Sequence, residues 1–410
     1  MTTLREKTIR FLNSSIEWLL YILIFSLPFS TSAVEICAIA AIACWLCKRL
    51  LLKEKGLRLP NTDLNLPIIA FYVISFLSIF WSSDTSISIS AFWRKLTEYV
   101  LLYFIVVEIA NQKRVIRNIM IALAASVFIV CIDGLYQKFT GFDFIRNYPL
   151  HSAERITGPF KFPNGLSGWL LVVLYPLVSL AVLYEKNIRL KMAYSAFLVL
   201  LAYCIFFAFT RGAFVSFALA SALMLLLIGG KISLCASFIL IIGIPLLILF
   251  LPKEIKDHIY VLKLFSGSST QHRLKVWSAA WQMFMDKPFL GHGLNTFMAN
   301  YERFRVPGDY GVWHAHNSYL QIAAEIGIFG LLAFLWMIVK MVVSFFKSWR
   351  LIKDDFLRFL YLGLFCGIVS FLIQSSLDVT HFSLRLAVLF YFSLGLLMAV
   401  KNVGLNHGKI

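Results

Sequence analysis

Charge is what this chain has least of. Only 14% of its 410 residues are Asp, Glu, Lys or Arg, against about 25% in a soluble globular domain. Acidic side chains are the scarcer kind, 21 against 38 basic ones. With 60% hydrophobic residues and a mean hydropathy of +0.80, a soluble fold of this length has no interior large enough for its apolar side chains. Cysteine is present but absent from every polar stretch. Cys37, Cys44, Cys47, Cys131, Cys204, Cys235 and Cys366 all fall inside apolar runs, which excludes a disulfide framework and a cysteine-based metal site. Cys44-x-x-Cys47 has no redox-fold context and reads as packing. Glycine motifs of the Walker or Rossmann kind are missing, as are internal repeats and low-complexity linkers. A net charge of +17 would raise the question of nucleic acid, but no basic face with interleaved aromatics lies outside the apolar segments. No cleavage site follows the first apolar run, which reads as a retained span rather than a signal peptide.

What is there instead is apolar sequence in runs of about 18 residues or more, each long enough to cross a bilayer as a helix. The pattern predicts an all-α integral membrane protein, a single polytopic domain over 1–410. The spans fall at about 16–33, 34–52, 65–82, 91–110, 115–137, 164–184, 192–209, 212–229, 232–251, 317–346, 357–377 and 383–400, twelve in all. Lys48, Arg49, Lys53, Lys55 and Arg58 fill the second connection; Lys113, Arg114 and Arg117 fill the fourth. Lys186, Arg189 and Lys191 fill the sixth; Lys347, Arg350, Lys353 and Arg358 fill the tenth. The first and third, 28–32 and 82–90, hold no Lys or Arg. Positive charge collects in cytoplasmic connections, so the even-numbered connections and both termini are expected in the cytoplasm. Outward lie 138–163, 210–212, 252–316 and 378–382.

The longest outward segment, 252–316, is inserted between the ninth and tenth spans. A connection that long is functional or disordered, and its patterning argues for order. Arg273, Trp277, Ala280, Trp281 and Phe284 recur at helical spacing within Gln271–Met285, which predicts a helix on or dipping into the membrane interface. The tryptophans equally suit an interfacial belt.

Six arginines lie on the outward side against the positive-inside trend: Arg155, Arg211, Arg273, Arg303, Arg305 and Arg385. Any one can snorkel harmlessly; the group asks for an anionic partner. Thr210-Arg211-Gly212 is the whole turn between two apolar runs, and an arginine near hydrocarbon costs about 2.5–3.5 kcal/mol without a partner or water. Arg155 opens Arg-Ile-Thr-Gly-Pro-Phe-Lys-Phe-Pro-Asn164, where Asn164 is placed to cap the sixth span. A guanidinium fork matches phosphate oxygens, so a lipid diphosphate at the outer leaflet fits these residues.

His314 and His316 stand just before a helix that Asn317 can cap. An imidazole titrates near neutrality and can take a proton from a hydroxyl nucleophile. Two satisfied polar residues at a helix start are the plainer reading. With His292 the pair supplies three imidazoles, but no carboxylate pattern accompanies them, and no metal is expected. Asp378 either orients a histidine or pairs with Arg385, and His381 shares its turn. Glu325 either supports the His316 region or pairs with a basic residue.

Taken together, Arg273-x-x-x-Trp277-x-x-Ala280, Pro288-x-x-Gly-x-Gly293, Phe297, His314-Ala-His-Asn-x-x-Leu320 and Glu325-x-Gly327-x-x-Gly330 resemble the O-antigen ligase family. That branch shares its loop with O-antigen polymerases and bacterial O-oligosaccharyltransferases. The Arg155–Asn164 segment and Thr210-Arg211-Gly212 resemble family segments too, so the likeness covers roughly 155–330. It implies a GT-C-like, metal-independent, inverting glycosyltransferase of the bacterial inner membrane, without cofactor, whose site faces the periplasm and whose long periplasmic loop contains helices. The implied donor is glycan on undecaprenyl diphosphate; the implied acceptor is a sugar hydroxyl of lipid A–core oligosaccharide. The family's essential histidine falls on His316, its diphosphate-binding arginines on Arg211 and Arg273 with Arg155 as a third. His314, Asn317, Trp277 and Asp378 take supporting roles. A polymerase or a protein-glycosylating enzyme uses the same donor; a chain ending about ten residues after its last span favours the ligase. A lipid-linked glycan transporter is the non-enzyme alternative, weakened by polar residues crowding one face and by the lack of duplicated halves.

Overall fold

The computed structural model describes residues 4–52, 59–208, 210–239, 268–308 and 314–406. The described residues are helical and contain no strand, only two isolated bridges, Phe142–Pro149 and His151–Arg155. In chain order the helices are α1 (Leu4–Ser26), α2 (Thr31–Leu52), α3 (Asn65–Ser78), α4 (Thr85–Ala91), α5 (Thr97–Ile109), α6 (Lys113–Thr140), α7 (Pro163–Val178) and α8 (Ile188–Phe207). There follow α9 (Arg211–Ile228), α10 (Lys231–Phe238), α11 (Ser268–Asp286), α12 (Phe297–Phe304), α13 (Ser318–Ser348), α14 (Asp355–Ser375) and α15 (Leu384–Asn406).

Eight described helices are long and apolar enough to cross a membrane: α1, α6, α7 with its π-helical extension to Tyr184, α8, α9, α13, α14 and α15. Among the described residues the expected twelve spans are not all confirmed. The span expected at 65–82 is a shorter apolar helix, Asn65–Trp81. That at 91–110 is interrupted by a π-helical turn, Phe92–Leu96, which joins α4 to α5. α2, which ends through Lys48 and Arg49, is not among the eight. Most of the span expected at 232–251, and 252–267 and 309–313 of the long segment, lie outside the described residues.

Burial ranks the helices. Within their apolar windows α15 is 89% buried and α14 and α7 are 78% buried, against 17% for α8 and 22% for α1. α14 is the axis: it packs on α7, α9 and α15, while α15 packs on α5. Small residues make the closest of these contacts. A β-carbon at Gly363 would stand 2.6 Å from the Tyr175 carbonyl oxygen, and one at Gly367 2.4 Å from that of Val172. Helix association in lipid depends on such approach, because apolar surface gains nothing by leaving other apolar surface.

Polar bonds tie connections together in two groups. In one, Glu108 accepts from Trp45, Lys48 and Arg49. Lys113 pairs with Asp354 at 2.6 Å and Arg114 with Glu17 at 2.8 Å. In the other, the Ser83 amide donates to the His292 carbonyl at 2.8 Å, and Arg385 donates to Pro28 and Pro159 carbonyls at 2.8 and 2.9 Å.

In that second group, the segment 288–297 docks on α13 where the helix breaks at Gly327 (φ 75°). The His292 and Gly293 amides donate to the Ala324 and Glu325 carbonyls at 3.0 and 2.8 Å, and Ile328 N–H donates to Pro288 O at 2.7 Å. Here glycine is required twice over. Gly327 has positive φ, and its β-carbon would lie 2.2 Å from the Phe289 carbonyl oxygen; at Gly291 (φ 68°) the clash would be with the Glu325 carbonyl at 2.4 Å. Gly327→Ala is expected to lower stability by roughly 2–5 kcal/mol, backbone strain and overpacking together. Thermal unfolding in detergent checks this, and an unchanged midpoint would contradict it.

Candidate active site

Three helices begin around one turn. α7 starts at Pro163, α9 at Arg211 and α13 at Ser318, and each meets residues 374–380. The Asn164 amide donates to Asp378 Oδ2 at 2.5 Å. A β-carbon on Gly212 would touch the Leu377 side chain at 3.4 Å. Ser318 Oγ donates to the Asp378 carbonyl at 3.2 Å and accepts from Thr380 N–H at 3.2 Å. A helix start presents unpaired N–H groups and the positive end of its dipole, so this convergence favours anions.

Asp378 is the anion the protein itself supplies. His316 Nδ1 lies 3.5 Å from its Oδ1, an ion-pair distance rather than a well-formed hydrogen bond. Burial alone would raise the Asp378 carboxyl; the His316 imidazole, then His314 and Arg273, outweigh it and hold the group at about 2. His314 packs edge-on against His316, centroids 4.5 Å apart. Burial, then the His316 charge, push His314 below the ordinary histidine range. His316 itself has φ 50°, a left-handed conformation that non-glycine residues adopt under constraint, commonly at functional sites. Its carbonyl accepts from Trp277 Nε1 at 3.4 Å. Asn317 caps α13, its Oδ1 accepting from Tyr319 and Leu320 amides at 3.0 and 3.1 Å.

The arginines separate into two groups. Arg273, on α11, donates to the Leu377 carbonyl at 2.7 Å, and its charge acts on Arg211, His314 and Asp378. Arg211 opens α9 next to Gly212, which meets Leu377, and Arg273 holds the Leu377 carbonyl, so two like charges flank that turn. Arg155 is one step removed: Nε donates to Ala208 O at 2.9 Å, and Nη2 reaches Asn164 Oδ1 at 3.5 Å. Arg303 and Arg305 pair with Asp286 at 3.7 Å and Glu302 at 3.1 Å within their own segment. Arg385 braces two carbonyls and does not pair with Asp378.

Other expectations need correcting. Asn164 is not the cap of α7. It sits inside the first turn, after Phe162 and Pro163, and spends its side chain on Asp378 and Arg155. His292 does not join His314 and His316; it is buried with Nε2 3.0 Å from the Met283 carbonyl. The carboxylate absent from the sequence pattern is Asp378, and the ligating atoms of His314, His316 and Asp378 lie within 4.8 Å of one another. His381 is boxed by Phe334, Phe371 and Phe390, and burial lowers it to about 3. α11 buries Val276, Ala279, Ala280 and Met283, not Trp281, which is 53% exposed. His272 escaped the sequence reading; its ring lies 6.2 Å from that of His316. Its one signal is its place next to Arg273 on the predicted helix.

The depressed carboxyl gives a pH test. Asp378 sits at about 2 against an ordinary 3.8, so its contribution to stability is full above the ordinary value and fades as pH falls toward 2. The gap in thermal midpoint between the protein and Asp378→Asn should be largest near pH 5 and close as the pH falls from about 4 to about 2. A gap unchanged at low pH would contradict the assignment.

The O-antigen ligase family model matches residues 196–335, a stretch that includes Arg211, Arg273, His314, His316, Asn317 and Glu325 but not Arg155, Asn164 or Asp378. Among curated proteins the chain is similar to the ComP-specific O-oligosaccharyltransferase of Acinetobacter baylyi, 26% identical over 60% of this chain and 47% of that protein. It is also similar to the teichuronic acid biosynthesis protein TuaE of Bacillus subtilis, 20% identical over 74% of this chain and 65% of that one. The match thus spans about half of the first relative and under two thirds of the second.

Proposed function

We propose, for a chain that carries the O-antigen ligase domain at residues 196–335, that it is an O-antigen ligase. It transfers glycan from undecaprenyl diphosphate to a sugar hydroxyl of lipid A–core oligosaccharide at the periplasmic face of the inner membrane. The observation that carries this reading is the juxtaposition of an Asp378–His316 pair with Arg211 and Arg273 at three helix starts.

In this reading Arg211 and Arg273 bind the donor's diphosphate, and Arg155, through Asn164, sets the far wall. Asp378 faces His316 Nδ1, which favours the tautomer with its proton there and leaves Nε2 as the base. The acceptor oxygen attacks the anomeric carbon as the bond to the diphosphate oxygen breaks. The hydroxyl proton passes to Nε2, and the lipid diphosphate leaves with the bonding electrons, its new charge held by the arginines. Displacement from the opposite face inverts the anomeric centre. His314, packed edge-on against His316, and Trp277, bonded to the His316 carbonyl, hold the base in place rather than take part.

A protein acceptor is the second reading, favoured by the name of the Acinetobacter relative. Lipid A–core, a lipid-linked repeat unit and a serine-bearing peptide offered side by side to purified protein discriminate among them. Product with lipid A–core alone supports the ligase; product only with the repeat unit or the peptide overturns it. His316→Ala is expected to lower turnover by about 10²–10⁴-fold, the usual worth of a positioned base. Wild-type turnover would remove His316 from the base role. Chelation by EDTA should leave the rate unchanged, and a loss restored by a divalent ion would instead assign His314, His316 and Asp378 to a metal.

A further inference from the structure

Glu325 is a carboxylate with no exposed surface, inside the apolar helix α13. A group so placed is costly unless its oxygens are occupied. They are. Oε2 accepts from the Asn295 amide at 2.7 Å; Oε1 accepts from the Phe297 amide at 3.1 Å and from Gln321 Nε2 at 3.0 Å. Gln321, one helical turn earlier and 2% exposed, turns its Oε1 to the Ala315 amide at 3.0 Å. Ala315 is the fully buried residue between His314 and His316. One continuous run of hydrogen bonds therefore joins the docked 288–297 segment to the backbone that carries the proposed base.

Both ends of that run are strained. Asn295 has φ 63° and His316 φ 50°. A left-handed conformation at a non-glycine residue lasts only where its surroundings over-determine it. At Asn295 the captured amide is its own; at His316 it is that of the preceding residue, with Trp277 fixing the carbonyl on the other side. The side chains of Gln321 and Glu325 bond to the Ala315, Asn295 and Phe297 amides and to each other.

We infer that Glu325 and Gln321 form a positioning pair that holds the His314–His316 backbone in the conformation that presents His316 to the acceptor. The inference rests on His316 being the base. It makes the Glu325-x-Gly327 motif part of the catalytic apparatus: glycine admits the 288–297 segment, and the carboxylate ties that segment to the histidine.

The test uses full-length protein in detergent with a polyprenyl-diphosphate oligosaccharide as donor and lipid A–core as acceptor. Gln321→Met should lower kcat by about 10–100-fold, the range for a residue that orients an active group, with donor KM within about twofold because the arginines are untouched. Gln321→Glu sets two carboxylates against each other and should lose at least as much. Adding Glu325→Gln restores a donor–acceptor pair with residue 321 at the expense of one backbone acceptor for Phe297 and should recover activity severalfold, a coupling that independent structural damage does not produce. Three results would overturn the inference: wild-type kcat in Gln321→Met, a loss confined to donor KM, or a double variant no better than Gln321→Glu. His316→Ala runs alongside. If it retains wild-type turnover, the base assignment fails; if it is inactive while the Gln321 variants are not, the positioning pair alone fails.

Discussion

The arrangement depends on Asp378, a carboxylate left only partly exposed. A charge largely withdrawn from water at a turn between two apolar helices is costly unless it is answered. Here it is answered by side chains from distant parts of the chain: Asn164 from α7, His316 and His314 before α13, and Arg273 from α11. Each is drawn to the same few ångströms, and with them come the starts of α7, α9 and α13. In the proposed function a diphosphate is the further anion held by these positive ends and guanidinium groups.

A second constraint works on shape. The 288–297 segment reaches α13 only because Gly291 and Gly327 let two backbones approach where a β-carbon would sit 2.2–2.4 Å from main-chain atoms. The break at Gly327 frees the helix to accept amide donors from outside itself. Glu325 takes two more. Packing on α13 is thus coupled to the geometry of the histidines at its start, and sequence changes at the break are felt at the site.

Much of this was legible beforehand. Helicity followed from apolar run length. Asn317 as a cap followed from local spacing, because caps are short-range properties. The span count was less legible: periodicity cannot see the π-helical turn at Phe92–Leu96, which is set by packing. The residues that depart from expectation share a cause. Asn164 stands at a helix start, yet its partner is 214 residues away. His292 matches His314 and His316 in residue type, but its imidazole serves the Met283 carbonyl. The sequence offers Asp378 two partners, and the fold pairs it with His316. Long-range pairing of polar groups inside an apolar bundle leaves no periodic trace.

The central claim is a division of labour, arginines for the diphosphate and histidine for the proton, and equilibrium binding separates the two without any turnover. Affinity of the purified protein for sugar-free undecaprenyl diphosphate is the measurement. Arg211→Ala and Arg273→Ala should each weaken binding by about 10–100-fold, the equivalent of one charge-assisted hydrogen bond, while His316→Ala binds as the wild-type protein does. Equal affinity in all four proteins, or a loss in His316→Ala as large as in the arginine variants, would contradict the account.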